Sequence, residues 1–125
     1  MAPLLYHRQS IVSDGATPGQ YIRLNNLGHC RIRIINMMDG RNACQMSCMI
    51  INKNQATPTP ESISIFSRQQ SIGGAYDVGW EGDIELGADQ DLVAQFMDDY
   101  IVATATFVPP AAADDLYITV GYEVL

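Results

Sequence analysis

Hydrophobic residues recur at every second position along much of this chain. Cys30, Ile32 and Ile34 alternate with Arg31 and Arg33, and Cys44, Met46, Cys48 and Ile50 alternate with Gln45 and Ser47. Near the C-terminus, Leu116, Ile118, Val120, Tyr122 and Val124 alternate with Tyr117, Thr119, Gly121 and Glu123. A period of two places one set of side chains on each face of a strand, so each run predicts a half-buried β-strand. Ser62–Phe66, Asp83–Leu86 and Asp91–Phe96 follow the same pattern. Tyr100–Val108 is β-branched and apolar or neutral at nearly every position, which predicts a strand covered on both faces.

Turn formers separate these runs. Asp14–Gly19 predicts a loop, Asn25–Gly28 a turn, and Asn54–Glu61, with two prolines, a longer connection. Gly73-Gly74, Gly87 and Pro109-Pro110 break the chain again. The expected fold is all-β: an antiparallel sandwich, jelly-roll-like, of about eight to ten short strands. The expected organisation is an N-terminal arm and loop over residues 1–19, then a single β-sandwich domain over 20–125. Asp39-Gly40 carries a strong hairpin signal. A three-residue loop there sets Ile34 opposite Cys44, Ile32 opposite Met46 and Cys30 opposite Cys48, with apolar faces in agreement.

Charge adds a second pattern. The net charge of −7 disfavours a nucleic-acid backbone as partner. All seven basic residues lie in residues 1–68 with three acids, a balance of +4. Residues 69–125 hold eleven acids and no Lys or Arg. Either the halves interleave and neutralise each other within one fold, or they form oppositely charged faces that meet between subunits. The N-terminus has neither a basic start nor a long apolar stretch, so no signal peptide and no membrane span are expected.

Candidate chemistry is sparse. Cys44 and Cys48, four strand positions and roughly 13 Å apart, are too far for a disulfide or a shared metal. Cys30 and Cys48 could pair in the hairpin register, but three cysteines without a secretion signal point to core thiols. His7 and His29 have no ligand pattern around them. The acids Asp83, Glu85, Asp89, Asp91, Asp98, Asp99, Asp114 and Asp115 are expected on a solvated rim. Trp80, set among Asp77, Glu81 and glycines, could stack on a sugar, anchor an interface or plug the core. No catalytic constellation, cofactor motif or metal site is legible, so the expectation is a binding or structural protein and not an enzyme.

The stretch from Trp80 through Asp91–Phe96 and Ala105-Thr106-Phe107 to Asp115–Leu125 resembles the closing strands of jelly-roll decoration, or cement, proteins of tailed-phage heads. The resemblance covers about the last third of the chain and is one of strand style. It implies a virion structural protein, made in the host cytoplasm and displayed on the capsid exterior. Such a protein would bind the major capsid protein as a homodimer or homotrimer and staple capsomers, with no cofactor, nucleic acid or membrane involved. Expected contact residues are Leu4, Leu5, Tyr6 and Arg8 of the arm, the basic strand face of Arg31 and Arg33, and Trp80. On this reading, deleting residues 1–12 abolishes binding to the particle but leaves the fold intact. The alternative is a carbohydrate-binding, lectin-like β-sandwich with Trp80 and the neighbouring acids at its site.

Overall fold

The computed structural model describes residues 3–11, 19–40, 45–56, 62–69, 76–97 and 116–125. These contain eight strands: β1 (Leu5–Ile11), β2 (Gly19–Leu24), β3 (Cys30–Asp39), β4 (Gln45–Asn52), β5 (Ile63–Gln69), β6 (Tyr76–Leu86), β7 (Gln90–Met97) and β8 (Leu116–Val124). The first sheet has the order β1-β8-β3-β6 and the second β2-β7-β4-β5. All pairings are antiparallel. Strand 1 lies beside 8, 2 beside 7, 3 beside 6 and 4 beside 5. That is one long hairpin folded over on itself, the double Greek key of a jelly roll. The expected fold class is therefore the observed one. Cys44, the expected strand at Tyr100–Val108, and Asp98, Asp99, Asp114 and Asp115 lie outside the described residues.

The inner faces make a single core. Ile22, Leu24, Met46, Cys48, Ile50, Leu92 and Phe96 of the second sheet meet Cys30, Ile32, Ile35, Met37, Leu116, Ile118 and Val120 of the first. Large side chains such as Phe96, Ile35 and Met46 are fully removed from water. Burial of each contributes about 1.5–3 kcal/mol relative to exposure.

Three expectations need correcting. The β3–β4 hairpin does not form, because β3 sits between β8 and β6 in one sheet and β4 between β7 and β5 in the other. Apolar faces that would match side by side in a hairpin match equally well face to face across a sandwich, so alternation could not separate the two. Cys30 and Cys48 accordingly belong to different sheets, both as buried free thiols. Second, Ile34 does not continue the inner face. Between Ile32 and Ile34 the register shifts against both neighbours: β3 carries one residue more than β8 and one fewer than β6, and Ile35 takes the next buried position. Third, the expected arm is, from Leu5 to Ile11, the edge strand β1, paired with β8 at all seven positions.

Charges interleave as the nested pairing demands. Arg23 and Lys53 bind Asp91, Arg31 binds Asp83, Arg33 binds Glu123 and His29 contacts Glu85. Each of these pairs joins the basic first half to the acidic second half. Asp91, expected on a solvated rim, is instead buried, with its side chain 3% exposed. Arg23 Nε donates to its Oδ2 at 2.7 Å, and Lys53 Nζ donates to Oδ1. The same guanidinium donates to the carbonyls of Asn52, Lys53 and Gln55, and Lys53 reaches the carbonyl of Asn25. This clamp ties β2, β7 and the turn after β4 together on the outer side of the second sheet.

Burial pushes the Cys30 thiol up to about 11 and raises Cys48 further. Thiolate is the reactive form, so both should be inert in the native protein. With a maleimide probe and peptide mapping, Cys30 and Cys48 are expected to label only at the rate of global unfolding. Labelling within the dead time of mixing would contradict their burial.

Candidate functional site: the outer face of the first sheet

Register across the first sheet lays its outward side chains in rungs. One rung reads Tyr6, Gly121, Ile34 and Glu81 from β1 to β6. The next reads Arg8, Thr119, Asn36 and Gly79, and the third Ser10, Tyr117, Met38 and Asp77. The middle rung is low. Thr119 and Asn36 are short, and a Cβ added at Gly79 would meet nothing within 4 Å. Larger residues flank it, with Tyr6 and Ile34 on one side and Tyr117 and Met38 on the other. The result is a trough running across the strands, about 14 Å long at an inter-strand spacing of about 4.8 Å.

Tyr6 is the most exposed large apolar side chain here, at 63%. Its ring lies across Gly121, where a Cβ would stand 2.9 Å from Tyr6 Cε1 and 3.3 Å from Ile34 Cβ. Glycine is thus required under the ring, and the glycine itself is buried although it faces outward. Arg8 caps the β1 end of the trough. Its guanidinium stacks 4.2 Å from the Tyr117 ring centroid, and its Nε donates to Thr119 Oγ1 at 2.9 Å.

Beyond Tyr6 the face becomes charged. A cleft of about 700 Å³ is lined by Pro3, Leu4, Arg33, Ile34, Glu81, Gly82 and Glu123. The β3 bulge builds it. Arg33, the extra residue, donates through Nε to the Gly82 carbonyl at 3.1 Å and through Nη1 to Glu123 Oε1 at 2.8 Å. Ile34 is turned outward into the same cleft. Glu123 is almost fully buried by this pairing, while Glu81 stays exposed at the rim.

Of the contact residues expected from sequence, this face gathers Leu4, Tyr6, Arg8, Arg31 and Arg33. It does not include the other two. Leu5 pairs with Tyr122 on the inward set, although it is 45% exposed at the sheet margin. Trp80 lies level with the buried Ile35, packs half-buried against the core, and covers Gly82. The tryptophan is therefore a core residue at the sandwich margin and not part of the outer platform. Sequence reasoning missed Gly121, Thr119, Asn36, Gly79, Tyr117 and Glu123. For β8 the alternation did mark Tyr117, Thr119, Gly121 and Glu123 as one outward set. The partner strands needed to complete the rungs were not legible. Among the described residues no group of three His, Cys, Asp or Glu could hold a metal ion.

The fold and this face define the chain as a jelly-roll β-sandwich with a built outer surface. No protein-family model and no curated protein sequence matches it. Among solved structures it is similar to chitosan-binding module 1 of a chitosanase/glucanase from Paenibacillus sp. IK-5, with 12% identity, 97% of this chain and 96% of that one covered, and a TM-score of 0.48. Chitosan-binding module 2 of that enzyme, solved with chitotriose, shows 13% identity over 94% and 92% of the chains, with a TM-score of 0.43. The K1 cleaved adhesin domain of Lys-gingipain from Porphyromonas gingivalis W83 shows 13% identity over 98% and 74%, with a TM-score of 0.38.

Proposed function

We infer that this protein is a carbohydrate-binding β-sandwich whose site is the outer face of the first sheet. The observation that carries this reading is the exposed Tyr6 ring held over Gly121, beside a trough and a cleft of side-chain donors and acceptors. An aromatic face takes up the C–H face of a sugar ring, while polar groups at its margin take the hydroxyls. Arg33, Glu81, Thr119 and Asn36 supply such groups. The stacking residue is Tyr6 and not Trp80, whose ring is committed to the core.

The test is a glycan array followed by titration calorimetry of the strongest ligand. Tyr6→Ala is expected to weaken binding about tenfold or more, equivalent to at least about 1.4 kcal/mol, with an unchanged circular dichroism spectrum. A ligand held equally well without the ring would refute the site.

Edge strand β1 favours a second reading, docking on a larger protein surface. Leu5 and Tyr6 stand exposed along it, and its outer side has no neighbouring strand among the described residues. A capsid shell is the case the sequence resemblance names. A protein that ignores every glycan yet co-sediments with capsid shells would take this second reading.

A further inference from the structure

The cations among the described residues are not alike. Arg23, Arg31, Arg33 and Lys53 each bind a carboxylate. Arg8 does not. Among the described residues its partners are the Tyr117 ring and the Thr119 hydroxyl, both neutral. The Nε–H is used on Thr119 and one guanidinium face is used on Tyr117, so the plane is fixed. No described residue takes the terminal N–H groups, whose forked arrangement matches a carboxylate with two parallel hydrogen bonds. Arg68 also has no carboxylate partner among the described residues, but on β5 it lies over the Phe66 ring of its own strand and donates to the neighbouring Ser67 carbonyl.

Position gives Arg8 its meaning. It lies two residues along β1 from Tyr6 and on the same face, about 7 Å away along the strand. A sugar stacked on Tyr6 would place a substituent of its own ring, or of the adjoining ring, within reach of the fork. Among the described residues the exposed acids of this face's rungs, Asp77 and Glu81, sit on β6 at the opposite end. At about 14 Å they are beyond the Debye length of about 8 Å at physiological salt, so they do not cancel the Arg8 field. Glu123 is nearer but neutralised by Arg33.

Resting on the saccharide reading above, we propose that the face selects acidic saccharides, with Arg8 binding the carboxylate of a sugar acid beside the ring stacked on Tyr6. The charge layout also orients the ligand. Its acidic group lies at β1, and neutral or basic substituents extend toward the acids of β6. Arg8 is the specificity-determining residue, while Tyr6 supplies stacking common to all ligands of the site.

The probes are oligogalacturonate, hyaluronan fragments and sialyllactose, each titrated beside its methyl ester into the full chain. Wild type is expected to prefer the acid over the ester by about tenfold at low salt, and less as salt rises. Arg8→Gln should bring the acid-to-ester ratio near one. Arg8→Lys, which keeps the charge but loses the stacked fork, should restore only part of it. Tyr6→Ala should weaken acid and ester alike, leaving the ratio in place. An acid preference that survives Arg8→Gln, or binding confined to neutral glycans, overturns the assignment while leaving saccharide binding standing. Failure of every probe and every neutral glycan to bind overturns both.

Discussion

A chain lacking residues 1–11 is expected to lose its cooperative thermal transition. β1 pairs with β8 along its whole length and shields the inward row of Leu116, Ile118 and Val120, each fully buried. Ile11 packs against the core, and Gln9 Nε2 reaches the Arg23 carbonyl on β2, linking the two sheets at this margin. Stripping the strand opens those three side chains to water, at about 1.5–3 kcal/mol each if fully exposed. It also leaves a long unpaired edge on β8. The sum is comparable with the whole stability of a small domain, about 5–15 kcal/mol. Differential scanning calorimetry checks it. A sharp transition retained within about 10 °C of the intact chain would mean that β1 is an accessory arm, as the sequence suggested.

Asp91→Ala is expected to cost about 2–4 kcal/mol and to lower the melting temperature by about 10 °C. Removing the carboxylate leaves Arg23 and Lys53 facing each other over a site that excludes water. Both cations retain access to solvent, at 28% and 41% side-chain exposure, which keeps the cost at the lower end for a broken buried pair. Asp91→Asn preserves the shape, so its loss reports the charge. Burial alone would raise the Asp91 pKa, but the hydrogen bonds and charges of Lys53 and Arg23 outweigh it and hold the carboxyl below the usual range. A carboxyl depressed in the folded state stabilises above its unfolded pKa of about 3.9 and loses that contribution as pH falls through the folded value. Urea midpoints of wild type and Asp91→Asn should therefore differ at pH 7 and converge below about pH 4. A constant gap down to pH 2 would show that Asp91 does not carry the effect.

How far the residues announced this arrangement differs along the chain. β3, β4, β7 and β8 were legible because each sends a row of alternate apolar side chains into the core, although the bulge in β3 breaks that row at Ile34. β1 was not, since an edge strand places His7 and Gln9 at inward positions where a central strand would place apolar groups. Sheet membership was not legible either. The fit that favoured a β3–β4 hairpin is a property of two apolar faces, and those faces meet across the core instead of side by side. Of the candidate site, Tyr6, Arg8, Arg31 and Arg33 were visible as exposed or basic residues. The trough was not, because it is made by register among strands distant in the chain, β1 and β8 more than a hundred residues apart, and the cleft beside it by a bulge at Arg33 that nothing local demands.

Nesting strand 1 against 8 has a consequence for synthesis. The seven earlier strands must all leave the ribosome before the first sheet can close, since its second strand in space, β8, is made after them. Until then β1 has no partner strand among the described residues, and the early half of the chain carries an excess of positive charge, while the segment still emerging is strongly negative. Attraction between the waiting and arriving portions favours closure within one molecule over pairing with a neighbouring nascent chain, where two early segments would repel.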